Sequence, residues 1–578
     1  MGQSHSTKPG DQKHLSVNSL SATTTHARHS HIVRPRSGYY SVKRKLKRIE
    51  LYSLHQVFDD LKTTVSDNFE CIEAKRFFDH LDLPAAIEPA GVLLFKFFSY
   101  LASYPNCAIV GAVPLTLDAF ITAFVLATGK MDQEEDGPPF DDLFFESLAI
   151  PPPPCDTHEV SASEIEEQKE EVEVKVATTS GLSLADLGIK FDDFDLEEND
   201  TKPTDDDDGG LKISCHDLID FFVLLLWIAE MEKEDNLIAK KEELDCRRIR
   251  ASAERLVASI PSYNLSNSDN DNLPCVSAQQ FFTWKNRNAP HLFKTFQSFI
   301  YSRFGMCSQH SLSAVSDIVL FEATVSTPDV SDILDRTYCL LLSWCLPENC
   351  LQSKEWHRLY SSSKDGFSMN RFESHVFKYP GPTLLLIHAD ITNADVAIDS
   401  YDVSTTVVIG ALVSQPWKTS KQYWGDEACF LFELSPTFEV FRPTKRNNQY
   451  VYCRDDFGIG FGGTSSLAHP PTKEMSSLAI TMDNTLQKGY YAQTLYPPLP
   501  TFESSAKRKS FAYSFETINV EVFGLGNNKA RALQEKEWAF EKREALRRAG
   551  LNIRQSDNSI DKELLKMAGI IDENREER

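Results

Sequence analysis

Twelve cysteines, spread from Cys71 to Cys453, are the residues best equipped for covalent or redox chemistry. No Cys-x-x-Cys pair occurs among them, so the spacing of a redox dithiol or a zinc knuckle is missing. Their scatter fits buried or free thiols in a reducing compartment, where disulfides are rare. His26, His29 and His31 lie close enough to meet at a metal, but they sit in a Ser/Thr-rich stretch with nothing to fix their geometry. Gly458-Ile459-Gly460-Phe461-Gly462 has the glycine density of a phosphate loop. No buried parallel strand precedes it and no helix clearly follows, so strand glycines at a bulge or close approach explain it better. G-x-S-x-G, H-E-x-x-H and GxxxxGK[ST] are all missing. The residues therefore predict no catalytic group, no metal and no cofactor.

Attachment chemistry is better represented. Met1-Gly2-Gln3-Ser4-His5-Ser6 fits the M-G-x-x-x-[ST] signal for N-myristoylation at Gly2. One myristoyl chain holds a membrane only marginally and needs a second signal. Lys43, Arg44, Lys45, Lys47 and Arg48 supply one, since each such charge near an anionic leaflet is worth about 1 kcal/mol. A nuclear-localisation-like run or a solvated tail is the plainer reading of the same cluster. Near the other end, Lys529–Ala549 is dense in both charge signs, with Leu533 and Phe540 seven apart and Gly550 placed as a C-cap. Trp538 and Phe540 are the aromatic anchors such a helix would offer to a partner groove. The competing reading is a solvated helix resting on its own domain.

These groups are carried by a chain too long for one hydrophobic core: 578 residues, net charge −24. That charge argues against broad nucleic-acid binding, which needs a basic face. It is unevenly placed: residues 1–48 carry a net +9 and residues 132–210 a net −22. The longest apolar run, Phe221–Ala229, falls far short of the ~20 residues of a spanning helix. No secretory signal opens the chain. The composition divides it into a disordered basic tail (1–48), a helical region (49–131), an acidic disordered linker (132–210), a second helical region (211–327), a strand-rich domain (328–526) and C-terminal helices (527–578).

Within the helical regions one pattern recurs: an aliphatic residue, a polar residue, three variable positions, then a large apolar residue opening a helix. It occurs as Ile72…Phe77, Leu115…Phe120, Ile213…Leu218 and Val276…Phe281. This resembles the exit half of an EF-hand loop, with the aliphatic residue at loop position 8. Position 12, where Ca²⁺ needs a bidentate carboxylate, is filled by Arg76, Ala119, Asp217 and Gln280. Only Asp217 is acidic, so the expectation is a degenerate scaffold without Ca²⁺.

From Trp356 the texture changes to short strands with turn signals at close spacing, the mark of an antiparallel sandwich. Trp356–Ser368 resembles the opening motif of the TLDc family, and Gly381-Pro382-Thr383-Leu384-Leu385 its next strand. Ile409-Gly410-Ala411 with Gln415-Pro416-Trp417, Phe430-Leu431-Phe432, Gly460-Phe461-Gly462-Gly463 and Val522-Phe523-Gly524-Leu525 continue the family's order. Thr464–Ser477 reads as an insertion. With the Met-Gly-Gln start, the helical half and the charged C-terminal helix, the arrangement is similar to the fungal restriction of telomere capping protein 5 family.

The resemblance implies an α+β chain. A helical, degenerate EF-hand-like N-terminal half would precede a TLDc antiparallel two-sheet β-sandwich with flanking helices, and a charged C-terminal helix would follow. It implies no catalysis. It implies an adaptor or regulator acting on the assembly state of the vacuolar proton-pumping ATPase, cytoplasmic and peripheral on the vacuolar membrane, with telomere capping as a process label and no direct nucleic acid. Its alternative is an oxidative-stress resistance protein with direct thiol chemistry.

Overall fold

The computed structural model describes residues 42–66, 69–131, 138–149, 211–231, 246–261, 274–306, 327–328, 330–351, 355–394, 406–463, 479–493, 500–508 and 510–567. The N-terminal half opens with α1 (Arg48–Leu61), the hairpin β1 (Lys62–Ser66) and β2 (Phe69–Ile72), then α2 (Ala74–Leu81), α3 (Glu88–Leu101), α4 (Leu117–Ala127) and α5 (Phe140–Leu148). It continues with β3 (Lys212–Ser214), α6 (Cys215–Met231), α7 (Cys246–Ser259), β4 (Cys275–Ser277), α8 (Ala278–Asn288) and α9 (Leu292–Phe304). In α1 the helical spacing of Leu51, Leu54, Val57, Phe58 and Leu61 makes one apolar stripe, of which all but the half-buried Leu51 are buried.

The four repeats of the helix-opening pattern meet in two pairs. Ile72 bridges Leu115, its N–H donating to the Leu115 carbonyl at 3.0 Å. Ile213 pairs with Val276 at the centre of the antiparallel β3–β4 ladder. Each bridge joins the same pattern position in two copies, so each pair has the local twofold symmetry of two loops set back to back. Behind the loops the opening apolar residues Phe77, Phe120, Leu218 and Phe281 are all buried.

Two expected boundaries shift. The linker expected over 132–210 contains α5, because Phe140, Leu143, Phe144, Ser147 and Leu148 hold the i, i+3, i+4, i+7, i+8 spacing of a buried helix face. Phe144 reaches Phe221 and Phe293 at ring-centroid distances of 4.5 and 4.7 Å. The acidic composition of the whole stretch conceals this short apolar repeat. The tail expected over 1–48 is ordered from Val42, which is buried; residues 1–41 and 150–210 lie outside the described residues. The hairpin β1–β2 also interrupts a region read as helices throughout.

The C-terminal half begins with β5 (Thr327–Pro328), α10 (Arg336–Cys345), β6 (Glu355–Ser361) and α11 (Met369–Val376). Then come β7 (Thr383–Ala394), β8 (Thr406–Val413), β9 (Phe430–Ser435), β10 (Glu439–Phe441), β11 (Val451–Arg454), β12 (Gly458–Phe461), β13 (Ala479–Met482), β14 (Lys488–Gln493) and β15 (Phe511–Gly524). The chain ends in α12 (Asn528–Met567). The strands run β10-β9-β8-β7-β15-β14-β13-β12-β11, antiparallel throughout, with β6 also on β15 and a short parallel contact from β5 to β6. The two layers of the sandwich are therefore continuous through the long pair β7–β15. Bulges at Ser514/Phe515 and Thr517/Asn519 bend that pair where β14 gives way to β6. The expected insertion, residues 464–477, lies outside the described residues.

Period-two alternation sends the strand side chains to two cores. Leu385, Ile387, Ile409, Leu431, Ile459, Phe461, Ile480, Tyr491 and Val522 fill the sandwich interior. Leu384, Leu386, Val408, Leu412, Phe430, Phe432, Val440 and Phe523 face the other way and join the core of the helical half. Gly410 is required in this layer, because a Cβ there would stand 2.3 Å from the Leu385 carbonyl oxygen and 2.5 Å from the Phe432 ring. The seam between the halves is polar at its rim. Arg287 donates to the Val440 and Ser504 carbonyls, Asn288 accepts from the Val440 N–H at 2.8 Å, and Arg442 donates to the Arg287 and Cys345 carbonyls. Helical residues thus cover the β10 edge, which would otherwise offer an unpaired ladder.

Candidate docking surface

The C-terminal helix starts where Asn527 caps it, its side-chain oxygen accepting from the Lys529 and Ala530 N–H groups at 3.1 and 3.3 Å. It then runs 40 residues, about 60 Å at 1.5 Å per residue. Gly550, expected to cap it, lies inside it; no proline follows before Met567, and a lone glycine costs only ~1 kcal/mol.

Its first turns are fastened to α11. The buried Gln534 donates to the His375 carbonyl at 2.8 Å, and Trp538 Nε1 donates to the Ser374 carbonyl at 3.2 Å. Glu541 pairs with Lys378, and Arg531 lies over the Trp538 ring at 5.4 Å. Just before the helix, the Gly526 N–H donates to the Tyr379 hydroxyl at 2.7 Å. Helix α11 is itself pinned to the sandwich by Phe372, whose ring packs on Trp417 at 5.1 Å and Tyr360 at 5.4 Å. Trp538, expected as a partner anchor, is thus half-buried against its own domain. Phe540 is 54% exposed and Leu533 53% exposed. The structure does not bring Trp538 and Phe540 together, since two residues along a helix turn about 200°.

At the other candidate surface, Arg44, Lys47 and Arg48 are exposed, while Lys43 and Lys45 are half-buried in the turn before α1. The turn is anchored by Glu50, which is buried and accepts from the Lys47 N–H at 2.8 Å, Lys130 at 2.9 Å and the Tyr301 hydroxyl at 2.8 Å. Burial pushes the Glu50 carboxyl up, but these donors outweigh it and hold the group below its ordinary value. Gly2 and the His26/His29/His31 cluster lie outside the described residues.

The pattern's position-12 residues are occupied structurally. Arg76 donates to the Asp60 and Lys62 carbonyls at 3.4 Å each, and Gln280 forms a capping box with Ser277. Ala119 is buried, and burial pushes the Asp217 carboxyl up. The glycine run is no phosphate loop: Gly458–Phe461 is strand β12, and Gly458 takes φ +103° against the Met482 carbonyl.

Among the described cysteines, seven are buried and Cys215, Cys246 and Cys275 half-buried. Burial pushes the thiols of Cys339, Cys345 and Cys350 to about 12 and raises those of Cys71, Cys215, Cys429 and Cys453. Cys155 and Cys307 lie outside the described residues.

One polar cluster escapes sequence reasoning. Fully buried Glu433 accepts from Arg508 at 2.7 Å and from the Tyr491 hydroxyl at 2.8 Å, while Arg508 also bonds Glu439 at 3.0 Å. Ser505 and the Ala506 N–H complete the Glu439 shell. Charged residues inside the apolar runs Phe430–Leu434 and Phe438–Phe441 are the signal that could have found it. The cluster straps residues 500–508 onto β9 and β10; its carboxylates are satisfied within it, while the buried Arg508 Nε has no hydrogen-bond partner among the described residues.

The TLDc domain model matches residues 327–526. A protein of Leptosphaeria maculans named Restriction of telomere capping protein 5 is 27% identical over 91% of this chain and 94% of its own length. A protein of that name from Colletotrichum graminicola is 25% identical, also over 91% and 94%. One from Saccharomyces cerevisiae is 26% identical over 51% of this chain and 56% of its own length. The protein carries a TLDc domain at residues 327–526 and, over most of its length, resembles the proteins named Restriction of telomere capping protein 5.

Proposed function

We propose that this protein is a non-enzymatic adaptor that regulates the assembly state of the vacuolar proton-pumping ATPase from the cytoplasmic face of the vacuolar membrane. The observation that carries the reading is the C-terminal helix: one side is fastened to the TLDc domain by Gln534, Trp538 and Glu541, and Leu533 and Phe540 on other sides are exposed. A long helix held at its base is built to reach a second body. Myristoylated Gly2, together with Arg44, Lys47, Arg48, Lys43 and Lys45, would hold the protein against anionic lipid by the two-signal rule. The name shared by the relatives attaches a telomere-capping process to those proteins; here it stands as a process label rather than a nucleic-acid contact. Direct thiol chemistry is the weaker reading, because burial raises seven of the described thiols and leaves them little thiolate at neutral pH.

Tagged full-length protein, mixed with detergent-solubilised vacuolar membranes, should retain the ATPase, identified by its subunits and its activity. Gly2→Ala should move the protein from vacuolar membranes to the soluble fraction. A resin that holds no ATPase even at low salt would remove the ATPase from this reading.

A further inference from the structure

We propose that Cys215 and Cys275 are a modification site, forming a reversible disulfide with each other when a hydroperoxide is present and so locking the second pair of helix-opening loops. The bond alters the chain itself, and it depends neither on the adaptor reading nor on thiol catalysis. Strands β3 and β4 set Ser214 opposite Cys275, and the Cys215 N–H donates to the Pro274 carbonyl at 2.9 Å. The two cysteines are therefore diagonal neighbours on one antiparallel ladder. Ladder spacings put their Cα atoms about 6 Å apart, within the reach of a disulfide. Strict alternation would send the two side chains to opposite faces. The chain leaves the ladder at Cys215, the first residue of α6, which frees that side chain from the alternation. The Cys215 thiol is pushed up by burial and then by Cys275, so the two sulfurs share one neighbourhood. Neither is in a disulfide here, and both are half-buried, open to a small oxidant.

Two comparisons within the chain single out this pair. Cys246 is also half-buried, but it begins α7 at the far end of α6, where Arg248 pairs with Glu230 at 3.1 Å. In the other loop pair Cys71 precedes Ile72 as Cys275 precedes Val276, but Leu117 stands two after Leu115 where Cys215 stands two after Ile213. The chemistry balances on the two thiols and the peroxide alone. One thiolate attacks a peroxide oxygen, the O–O bond breaks, and a sulfenic acid and hydroxide form. The other thiolate attacks the sulfenic sulfur, the S–S bond forms, and the S–O bond breaks with loss of water. Two thiols have lost two electrons and two protons, and one hydrogen peroxide has become two waters; a dithiol reductant reverses the change. The raised Cys215 thiol makes this a slow response that quickens as pH rises. Its effect follows from the chain path, since β4 runs directly into α8, whose Arg287 and Asn288 hold the β10 edge. A bond from the start of α6 to the start of β4 removes the conformations in which the two loops part.

The test treats reduced full-length protein with hydrogen peroxide, alkylates the remaining thiols and maps the cross-linked peptides by mass. A Cys215–Cys275 peptide should form before any other intramolecular pair, form faster at higher pH, and disappear with dithiothreitol. Cys246→Ser and Cys71→Ser should leave it unchanged. Amide exchange at residues 213–218 and 275–288 should slow about tenfold or more on oxidation and recover on reduction. Cys215→Ser and Cys275→Ser should each abolish that slowing while keeping the exchange pattern of the reduced parent, which separates loss of the bond from loss of the fold. The proposal is overturned if Cys246 is oxidised while Cys215 and Cys275 stay unlinked, or if either pairs instead with another cysteine or another molecule. It is equally overturned if exchange is indifferent to the bond, or if the reduced protein retains zinc that peroxide releases from these two thiols.

Discussion

Trp538 and Phe540 are two residues apart on one helix and face opposite ways: the Trp538 indole donates to the Ser374 carbonyl, while the Phe540 ring stands more than half in solvent. They cannot enter one groove together. One serves the attachment of the helix to its own domain and the other stands exposed, so their substitutions should separate.

Trp538→Ala should loosen the base of the helix. It removes a half-buried aromatic, one hydrogen bond and the Arg531 stacking contact, a loss of ~1–2 kcal/mol by the usual cost of such contacts. Amide exchange across residues 528–541 should quicken. Phe540→Ala should leave both the melt and the exchange pattern within error. A Phe540→Ala protein that melts markedly lower would place that ring in a contact of its own.

Residues 327–526 on their own should be poorly soluble. Leu384, Leu386, Val408, Leu412, Phe430, Phe432, Val440 and Phe523 bury their side chains against the helical half, and each buried aliphatic or aromatic is worth about 1.5–3 kcal/mol. Cutting the chain at the domain boundary exposes that whole layer, together with the β10 edge that Arg287 and Asn288 cover. Light scattering on the excised fragment beside the full chain checks this; a monomeric, fully folded fragment would show that the two halves merely abut.

Much of this layering is legible in the sequence. Strands β7 and β8 read as short apolar runs, although burial on both faces hides which residues meet which core, and Ile72, Leu115, Ile213 and Val276 are the residues that bridge in pairs. Helix α5 is not, because its nine residues are averaged into an acidic stretch several times longer. The 200° between Trp538 and Phe540 follows from helix geometry alone. Which of the two turns inward depends on Ser374, more than 160 residues away in the chain, and local spacing carries no trace of that contact. The Arg508 cluster is hidden for the same reason, its partners being 75 and 69 residues distant.

Glu50 should make the N-terminal half acid-sensitive. Its folded carboxyl sits below its ordinary value, so the unfolded chain takes up a proton first as pH falls. The stability it contributes is complete well above the ordinary carboxylate range, declines as pH drops through that range, and is gone below the folded value. Glu50→Gln should flatten this part of the stability-against-pH curve. It should also free the turn that carries Lys47, read as faster amide exchange at residues 45–51. A curve unchanged by the substitution would mean that the Lys47, Lys130 and Tyr301 contacts do not favour the charged form.

Arg508→Met should be the most damaging single change in the sandwich. Glu433 is fully buried, and burial pushes its carboxyl up even with Arg508 beside it. Removing the guanidinium leaves Glu433 and Glu439 facing each other with only Tyr491, Ser505 and backbone N–H groups as donors. Breaking a buried pair from one side typically costs ~3–5 kcal/mol, because the remaining charge has no compensation. The loss should be partly restored by Glu433→Gln in the same chain, since the amide keeps a hydrogen-bonding group for Tyr491 and removes the uncompensated charge. The strap over 500–508 should report it as well, with proteolysis there rising in Arg508→Met and falling back in the double variant. If the double variant is no more stable than Arg508→Met, the charge on Glu433 is not what Arg508 offsets, and the guanidinium acts by packing on Phe511 and Tyr491 instead.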